Sequence, residues 1–223
     1  MRPRTRLKVC CISSPDEARL AIALGADAIG LVAKMPSGPG PIPDARIAEI
    51  ASRTPPPTSS FLLTSRTEPD AIAAHHADCR TTTVQLVDHV SPTDHARLRN
   101  ALPAVTLVQV IHVLGADSIE QAIDASTHCH ALLLDSGNPA LAVKELGGTG
   151  RTHDWSISRE IVERSPVPVF LAGGINPKNV GEAIRAVRPF AIDLCSGVRT
   201  RGALDRAKLT DLVAAMREAD ESS

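Results

Sequence analysis

The chain has 223 residues, a formal net charge of −1 and only 2% aromatic residues. A near-zero charge with scattered basic residues argues against nucleic-acid binding, and the absence of Tyr removes the usual stacking platform for single strands. Five cysteines without a disulfide framework indicate a reducing compartment. Since no apolar run reaches the roughly 18 residues of a membrane span, we expect a soluble, cytoplasmic protein without a membrane partner.

Short apolar segments alternate with amphipathic stretches along the whole chain. Strands are predicted at residues 7–12, 28–32, 58–63, 83–86, 106–112, 131–134, 167–171 and 191–194. Helices are predicted at residues 15–24, 44–52, 68–77, 92–102, 118–126, 156–164, 177–187 and 204–219. The eightfold alternation predicts an α/β fold, a single (β/α)8 TIM barrel domain over residues 1–223. An open doubly wound sheet is the alternative, although such sheets more often have about five or six strands.

Two loops follow predicted strand ends, where barrel active sites form. The first, residues 34–43, is rich in Pro and Gly, and the second, residues 136–154, contains the run Gly-Gly-Thr-Gly at 147–150. Long loops in compact domains are more often functional than not. A stiff proline-rich spacer is the alternative for the first loop.

The turn after the seventh strand combines two glycines with a helix start. Gly173 and Gly174 allow the backbone to approach a phosphate, while Asn176 is predicted to cap the next helix and Pro177 to open it. The N-terminus of a helix attracts anions through its free N–H groups. We therefore predict a phosphate site here.

A similar turn follows the eighth strand, where Ser196 and Gly197 offer a hydroxyl and backbone N–H groups. Barrels frequently hold phosphate between the loops after strands seven and eight, so the two turns together predict a phosphorylated small-molecule ligand. Tight packing at a barrel corner is the alternative. No nucleotide-binding glycine motif is present, so no nucleotide cofactor is predicted.

Acid–base groups occur at three strand ends: Cys10, Asp135 and Asp193. A thiol of lowered pKa can act as a base and a protonated carboxyl as an acid. The structural alternatives are a small buried hydrophobe for Cys10 and a turn or helix cap for Asp135.

Other cysteines and a lysine lie near these groups in sequence. Strand alternation would send Cys10 and Cys11 to opposite faces, which argues against a redox or metal role for the pair. The run at 128–130, His-Cys-His, predicts no metal site because three consecutive residues rarely converge on one ion. Lys8 shares a face with Cys10 and is open to three interpretations: positive charge near the thiol, a structural lysine, or a Schiff-base lysine.

Together these motifs resemble the phosphoribosylanthranilate isomerase family, in order and over nearly the whole chain. The resemblance rests on residues 8–12 (KVCCI), 25–31 (GADAIGL), 84–86 (VQL), 132–136 (LLLDS), 147–150 (GGTG), 154–155 (DW), 171–177 (LAGGINP) and 193–198 (DLCSGV).

The resemblance implies a (β/α)8 enzyme of tryptophan biosynthesis that catalyses an Amadori rearrangement without a cofactor. It implies that Cys10 is the general base, Asp135 the general acid and Asp193 a supporting carboxylate. The implied phosphate-binding residues are Gly173, Gly174, Ser196 and Gly197. Further substrate contacts are predicted for Lys8, Gln85, Gly148, Thr149, Lys34 and Arg199.

The sequence departs from the family pattern at four places. Cys11 stands where the family has Gly, and the loop at 36–41 lacks the Arg that pairs with the anthranilate carboxylate. The residues at 87–88 are Val-Asp instead of His-Gly, and Arg199 replaces Glu. Lys34 or Arg199 is therefore predicted to supply the missing positive charge.

Three functional hypotheses remain open: this isomerase, a paralogous isomerase of another phosphorylated aminosugar, and a phospholigand-binding protein without turnover. The presence of both Cys10 and Asp135 argues against the third. The family contains monomers and homodimers, and either state is compatible with the sequence.

Overall fold

The computed structural model describes residues 4–148 and 150–222. Eight parallel strands close into a barrel, which confirms the predicted fold class. The strands are β1 (Arg6–Val9), β2 (Ala28–Val32), β3 (Ser59–Thr64), β4 (Thr83–Leu86), β5 (Thr106–His112), β6 (Ala131–Asp135), β7 (Val169–Leu171) and β8 (Ala191–Leu194). Each strand pairs with its neighbour in sequence, and β1 pairs with β8 through the register Lys8↔Asp193.

A helix follows every barrel strand and packs on the outside of the barrel. The helices are α1 (Pro15–Ala23), α2 (Asp44–Ser52), α3 (Pro69–Cys79), α4 (Pro92–Ala101), α5 (Asp117–Ser126), α6 (Trp155–Arg164), α7 (Val180–Val187) and α8 (Arg206–Glu221). Among the described residues no helix is long and apolar enough to span a membrane.

Two predicted helix starts are wrong. Helix α7 begins at Val180 instead of Pro177, because residues 177–179 form a turn in which the side chain of Asn179 accepts the N–H of Asn176. Helix α8 begins at Arg206 instead of Leu204. The preceding residues form a two-stranded ribbon, β9 (Arg199–Thr200) with β10 (Ala203–Leu204), and Asp205 caps the helix.

The hydrophobic core has two layers. The larger layer lies between the barrel and its helices, and includes Ile29, Leu132 and Leu212, all fully buried. The smaller layer fills the barrel interior, where the rings of Phe61 and Phe170 pack edge to face at 5.8 Å. The lower barrel is therefore closed, and space for a ligand is left at the end where the strands terminate.

Candidate active site

A cavity opens at the C-terminal ends of the barrel strands. The three predicted acid–base residues, Cys10, Asp135 and Asp193, all line it. They come from β1, β6 and β8 and their immediate ends, which the closed barrel brings to one rim. The architecture therefore brings together groups that are up to 183 positions apart in the sequence (193 − 10).

Lys8 and Asp193 form a buried ion pair beneath the cavity. The Nζ of Lys8 lies 2.8 Å from Oδ1 of Asp193, and the Lys8 side chain is fully buried. Burial lowers the pKa of Lys8, but the Asp193 carboxylate and Cys10 outweigh it, so the pKa lies above its ordinary value. An ammonium held in a buried ion pair is a poor nucleophile, so the contact with Asp193 favours a structural or electrostatic interpretation of Lys8 over the Schiff-base one.

Asp135 ends β6 and is almost completely buried. Burial raises the pKa of Asp135, and the nearby Asp193 carboxylate adds to the rise, although the backbone N–H of Ser136 and Lys8 oppose it. The Ser136 N–H donates to Oδ1 at 2.7 Å. Gly147 approaches Oδ2 so closely that a Cβ there would lie 2.6 Å from it. A carboxyl with a raised pKa is suited to donate a proton to a substrate oxygen near neutral pH.

Cys10 lies just beyond β1, held by backbone contacts on both sides. Its N–H donates to the carbonyl of Leu194 at 2.8 Å. A Cβ at position 30 would lie 2.7 Å from the Cys10 sulfur, so Gly30 makes room for the thiol.

Arg199 fixes the turn that carries Cys10 and does not line the cavity. Its guanidinium donates to the carbonyls of Cys10 and Cys11 at 3.3 and 2.6 Å, and forms an ion pair with Glu17 at 3.0 Å. The prediction that Arg199 supplies positive charge to the substrate is therefore not supported. The Arg that replaces the Glu of the family at this position therefore binds the backbone on either side of the Cys10 thiol.

Three thiols meet at the edge of the cavity. Cys11 adopts a φ of 62°, which leaves the strand conformation, and its thiol donates to the carbonyl of Pro39 at 3.7 Å and lies near those of Cys10 and Cys195. The prediction that Cys10 and Cys11 face opposite sides is wrong, because alternation holds only while the chain stays extended. Both cysteines line the cavity, as does Cys195, a residue that sequence reasoning missed.

The contacts with Cys10 and Cys195, together with burial, raise the pKa of Cys11. The Cys11 contact, assisted by the charge of Arg199, lowers the pKa of Cys195. Cys195 is also partly exposed, in contrast to the buried Cys11. Of these two thiols Cys195 is therefore the more reactive.

The turns after β7 and β8 lie against each other. Gly173 and Gly174 line the cavity at φ values of 85° and 63°, a left-handed conformation that favours glycine. Ser196 also lines the cavity. Gly197 does not; it packs against the carbonyl of Ile175, where any side chain would clash. Three of the four predicted phosphate residues thus face the cavity, and the fourth allows the two turns to touch.

Both predicted functional loops cover the cavity, and they contact each other. The hydroxyl of Ser37 donates to the carbonyl of Lys144 at 2.6 Å. The ammonium of Lys144 forms an ion pair with Asp88, one of the residues that depart from the family pattern. A Cβ at Gly148 would lie 2.5 Å from Pro39. The departures after β2 and β4 are therefore linked to one another through the covering loops.

The remaining predicted substrate contacts have different outcomes. Gln85 and Gly148 line the cavity, and the buried Oε1 of Gln85 has no hydrogen-bond partner among the described residues. Thr149 lies outside the described residues. Lys34 is exposed and lines a neighbouring groove, so it does not supply charge to this cavity.

The part of the cavity beneath the covering loops is apolar. Its walls carry Val32, Met35, Leu63, Val87 and Leu146. No Lys or Arg side chain is among the described residues that line the cavity. The cavity therefore combines a polar end, formed by the β7 and β8 turns, with an apolar end suited to a planar hydrocarbon group.

Comparison with known proteins gives a consistent result. The family model described as N-(5'-phosphoribosyl)anthranilate (PRA) isomerase matches residues 8–215. The N-(5'-phosphoribosyl)anthranilate isomerase of Methanocella arvoryzae is 38% identical, over 87% of this chain and 89% of that protein. Isomerase 2 of Methanosarcina mazei is 36% identical, over 93% and 92% of the two chains.

Solved structures agree in fold. The phosphoribosyl anthranilate isomerase of Thermotoga maritima superposes with a TM-score of 0.80 at 28% identity, covering 96% of this chain and 99% of that one. A phosphoribosyl anthranilate isomerase in complex with reduced 1-(o-carboxyphenylamino)-1-deoxyribulose 5-phosphate has a TM-score of 0.77 at 26% identity, with the same coverage.

Proposed function

This chain belongs to the phosphoribosylanthranilate isomerase family, and we propose that it converts N-(5-phosphoribosyl)anthranilate to 1-(2-carboxyphenylamino)-1-deoxyribulose 5-phosphate in tryptophan biosynthesis. The family model covers almost the whole chain, and a similar structure was solved with a reduced form of this product. The observation that carries the proposal is the shared cavity of Cys10 and Asp135, a thiol and a carboxyl of raised pKa at one barrel rim.

The rearrangement needs one acid and one base. Asp135 donates its proton to the ribose ring oxygen, the C1–O bond breaks, and the anilino nitrogen forms the C1 iminium. Cys10, as the thiolate, then removes the proton from C2, and the resulting enolamine tautomerises to the ketone. The proton gained at the ring oxygen comes from Asp135 and the one lost from C2 passes to Cys10, and proton exchange with solvent after product release returns both groups to their starting states.

Asp193 lies between the charged Lys8 and the cavity. Its ion pair with Lys8 provides a fixed dipole beneath the reacting sugar, which suits electrostatic stabilisation of the iminium without proton transfer. Asp193 is proposed as the supporting carboxylate, and Gln85 as a hydrogen-bond acceptor for a sugar hydroxyl, because its Oε1 lacks a partner among the described residues.

The phosphate is proposed to bind between the two turns at the polar end, at Gly173, Gly174 and Ser196, with Gly197 shaping the site. The anthranilate ring is proposed to occupy the apolar end against Met35 and Leu146. Turns with free backbone N–H groups can bind phosphate without a cationic side chain. This agrees with the cavity, since no Lys or Arg is among the described residues that line it.

The absence of Lys and Arg from the described residues of the cavity wall favours one alternative, a paralogous isomerase of another phosphorylated aminosugar. An Arg–carboxylate contact is bidentate and strong, and no described residue of the cavity wall replaces it. Under the isomerase proposal, the backbone of the covering loop receives the anthranilate carboxylate, since the Ser37 hydroxyl already donates to the carbonyl of Lys144. Without a cation this contact is weaker, so KM is expected to be high while kcat is preserved.

The test is turnover of freshly generated phosphoribosylanthranilate, followed by the loss of anthranilate-type fluorescence, with Asp135→Asn as the inactive control. Growth of a tryptophan auxotroph carrying the gene gives an independent readout. Turnover that the control abolishes supports the proposal. A folded protein that binds a ribose phosphate but neither turns over this substrate nor rescues growth would transfer the assignment to the paralogous isomerase.

A further inference from the structure

A second group of chemically active side chains lies outside the cavity, between α2 and α3. Asp44 is the first residue of α2, and His75 and Cys79 lie one turn apart on α3. A carboxylate oxygen, an imidazole nitrogen and the thiol sulfur all lie within 4.8 Å of one another. His75 and Cys79 are buried, at 3% and 0% exposure, whereas Asp44 is partly exposed.

The distances within this group are close to those of a tetrahedral metal site. The Nε2 of His75 lies 3.2 Å from Oδ1 of Asp44. Two such ligands at about 2.0–2.2 Å from a zinc ion are roughly 3.3 Å apart. A sulfur ligand at about 2.3 Å needs roughly 3.6 Å to each of the others, so from separations of at most 4.8 Å a side-chain shift of up to roughly 1.2 Å completes the set.

The second nitrogen of the imidazole is also held in the way that metal sites require. The Nδ1 of His75 lies 3.1 Å from the hydroxyl of Thr64, which is fully buried. A partner on one ring nitrogen fixes the tautomer and directs the other nitrogen to the ion. The Thr64–His75–Asp44 chain orients the imidazole, and the buried Cys79 thiol lies beside it as a third donor.

We infer that Asp44, His75 and Cys79 bind a divalent transition-metal ion of the zinc type. Oxygen, nitrogen and sulfur donors together suit zinc and cobalt, and exclude magnesium and calcium, which prefer oxygen. Burial and Asp44 raise the pKa of Cys79 to about 12, so the ion displaces the thiol proton to solvent as it binds; the carboxylate and the resulting thiolate then balance its two charges. The fourth position faces a groove that also contains Lys34 and Arg66, so a water, hydroxide or small anion is the expected fourth ligand.

A metal ion at this site would restrain the loop at 34–43, which covers the cavity. Asp44 directly follows the loop at 34–43, so an ion that joins Asp44 to α3 fixes the end of that loop. The inference does not depend on the identity of the isomerase substrate, because metal binding is measured on the free protein. A secondary consequence is a lower KM for the phosphorylated substrate in the metal-loaded protein.

The test is titration of chelator-treated protein with Co²⁺, whose thiolate charge-transfer and d–d absorption bands report a tetrahedral site with sulfur. One equivalent is expected to bind to the wild type. Cys79→Ser and Asp44→Asn are expected to bind at least tenfold more weakly and Cys79→Ser to lose the charge-transfer band. Cys129→Ser is the matched control, because Cys129 is another buried thiol outside the group.

The thiols near the cavity are a competing site and need their own variant. Cys11→Ala removes the central thiol of that group. The inference is overturned if the folded wild type binds no Co²⁺ or Zn²⁺, or if binding is unchanged in Cys79→Ser and lost in Cys11→Ala. A rise in Tm with Zn²⁺ in the wild type and in Cys11→Ala, absent in Cys79→Ser, would support it independently.

Discussion

Replacing Lys8 by Met tests the buried ion pair beneath the cavity. Lys8 is fully buried and the Asp193 side chain is 8% exposed, so removing the ammonium leaves a carboxylate in a nearly dry environment. Breaking one partner of such a pair costs about 3–5 kcal/mol, because the remaining charge is neither solvated nor paired. For a chain of this length each kcal/mol corresponds to roughly 2–4 °C, so Tm should fall on the order of 10 °C.

The assay is urea unfolding followed by circular dichroism, with the free energy of unfolding extrapolated to water. Lys178→Met is the matched control, since Lys178 is exposed and should change stability by less than about 0.5 kcal/mol. The double variant Lys8→Met/Asp193→Asn removes the orphaned charge and should recover part of the loss. A folded Lys8→Met protein that loses less than about 1 kcal/mol would refute the reasoning, because Asp193 would then be solvated or neutral.

Three further predictions concern the cavity. Asp135→Asn should lower kcat by roughly 10²–10⁴-fold with little change in Tm, as expected for a lost general acid. Because burial raises the pKa of Asp135, kcat should fall as pH rises through that pKa. The protonated Asp135 carboxyl contributes its full stability below the unfolded pKa of about 3.9, and this stability is lost as pH rises through the higher folded pKa. The difference in unfolding free energy between wild type and Asp135→Asn should therefore change with pH. A difference that stays constant with pH would argue against a raised pKa. Gly147→Ala should lower kcat, since its Cβ would lie 2.6 Å from the Asp135 carboxyl. Gly25 also has a positive φ but a Cβ there would meet nothing within 4 Å, so Gly25→Ala should lower only the stability. Equal losses of kcat in the two variants would contradict this. Iodoacetamide should modify Cys195 faster than Cys11, because the pKa of Cys195 is lowered and that of Cys11 is raised. Mass spectrometry of digests taken at timed intervals measures the two rates. Faster modification of Cys11 would refute the conclusion that Cys195 is the more reactive thiol.

Much of the fold could be predicted because the pattern is local and repeated. Eight apolar segments followed by eight amphipathic ones specify alternating strands and helices, and the fold class follows from the count. Cys10 and Asp135 were also identifiable, since each follows an apolar strand and strand ends meet at one rim. Helix starts were harder: at Pro177 the expected cap was replaced by a turn that Asn179 stabilises.

The charged residues of the loops were predicted poorly. Arg199 was expected to reach the substrate, but it binds Glu17 and two backbone carbonyls. Lys34 was expected in the cavity and lies in the groove beside Asp44. Long cationic side chains extend several ångströms in any direction, and their partners come from segments far away in sequence, so spacing alone does not identify their contacts.

The alternation of strands and helices, the glycines at the two turns after β7 and β8, and the positions of Cys10, Asp135 and Asp193 at strand ends can be read from the sequence alone. These depend on periodicity and on the chemistry of single residues, which are local properties. Three features could be seen only in the folded chain: Cys11 turns back toward Cys10 and Cys195, Lys8 pairs with Asp193, and Asp44, His75 and Cys79 come together. The reason is that closing the barrel brings distant segments into contact, and a single residue at positive φ reverses the direction that alternation would assign to a side chain.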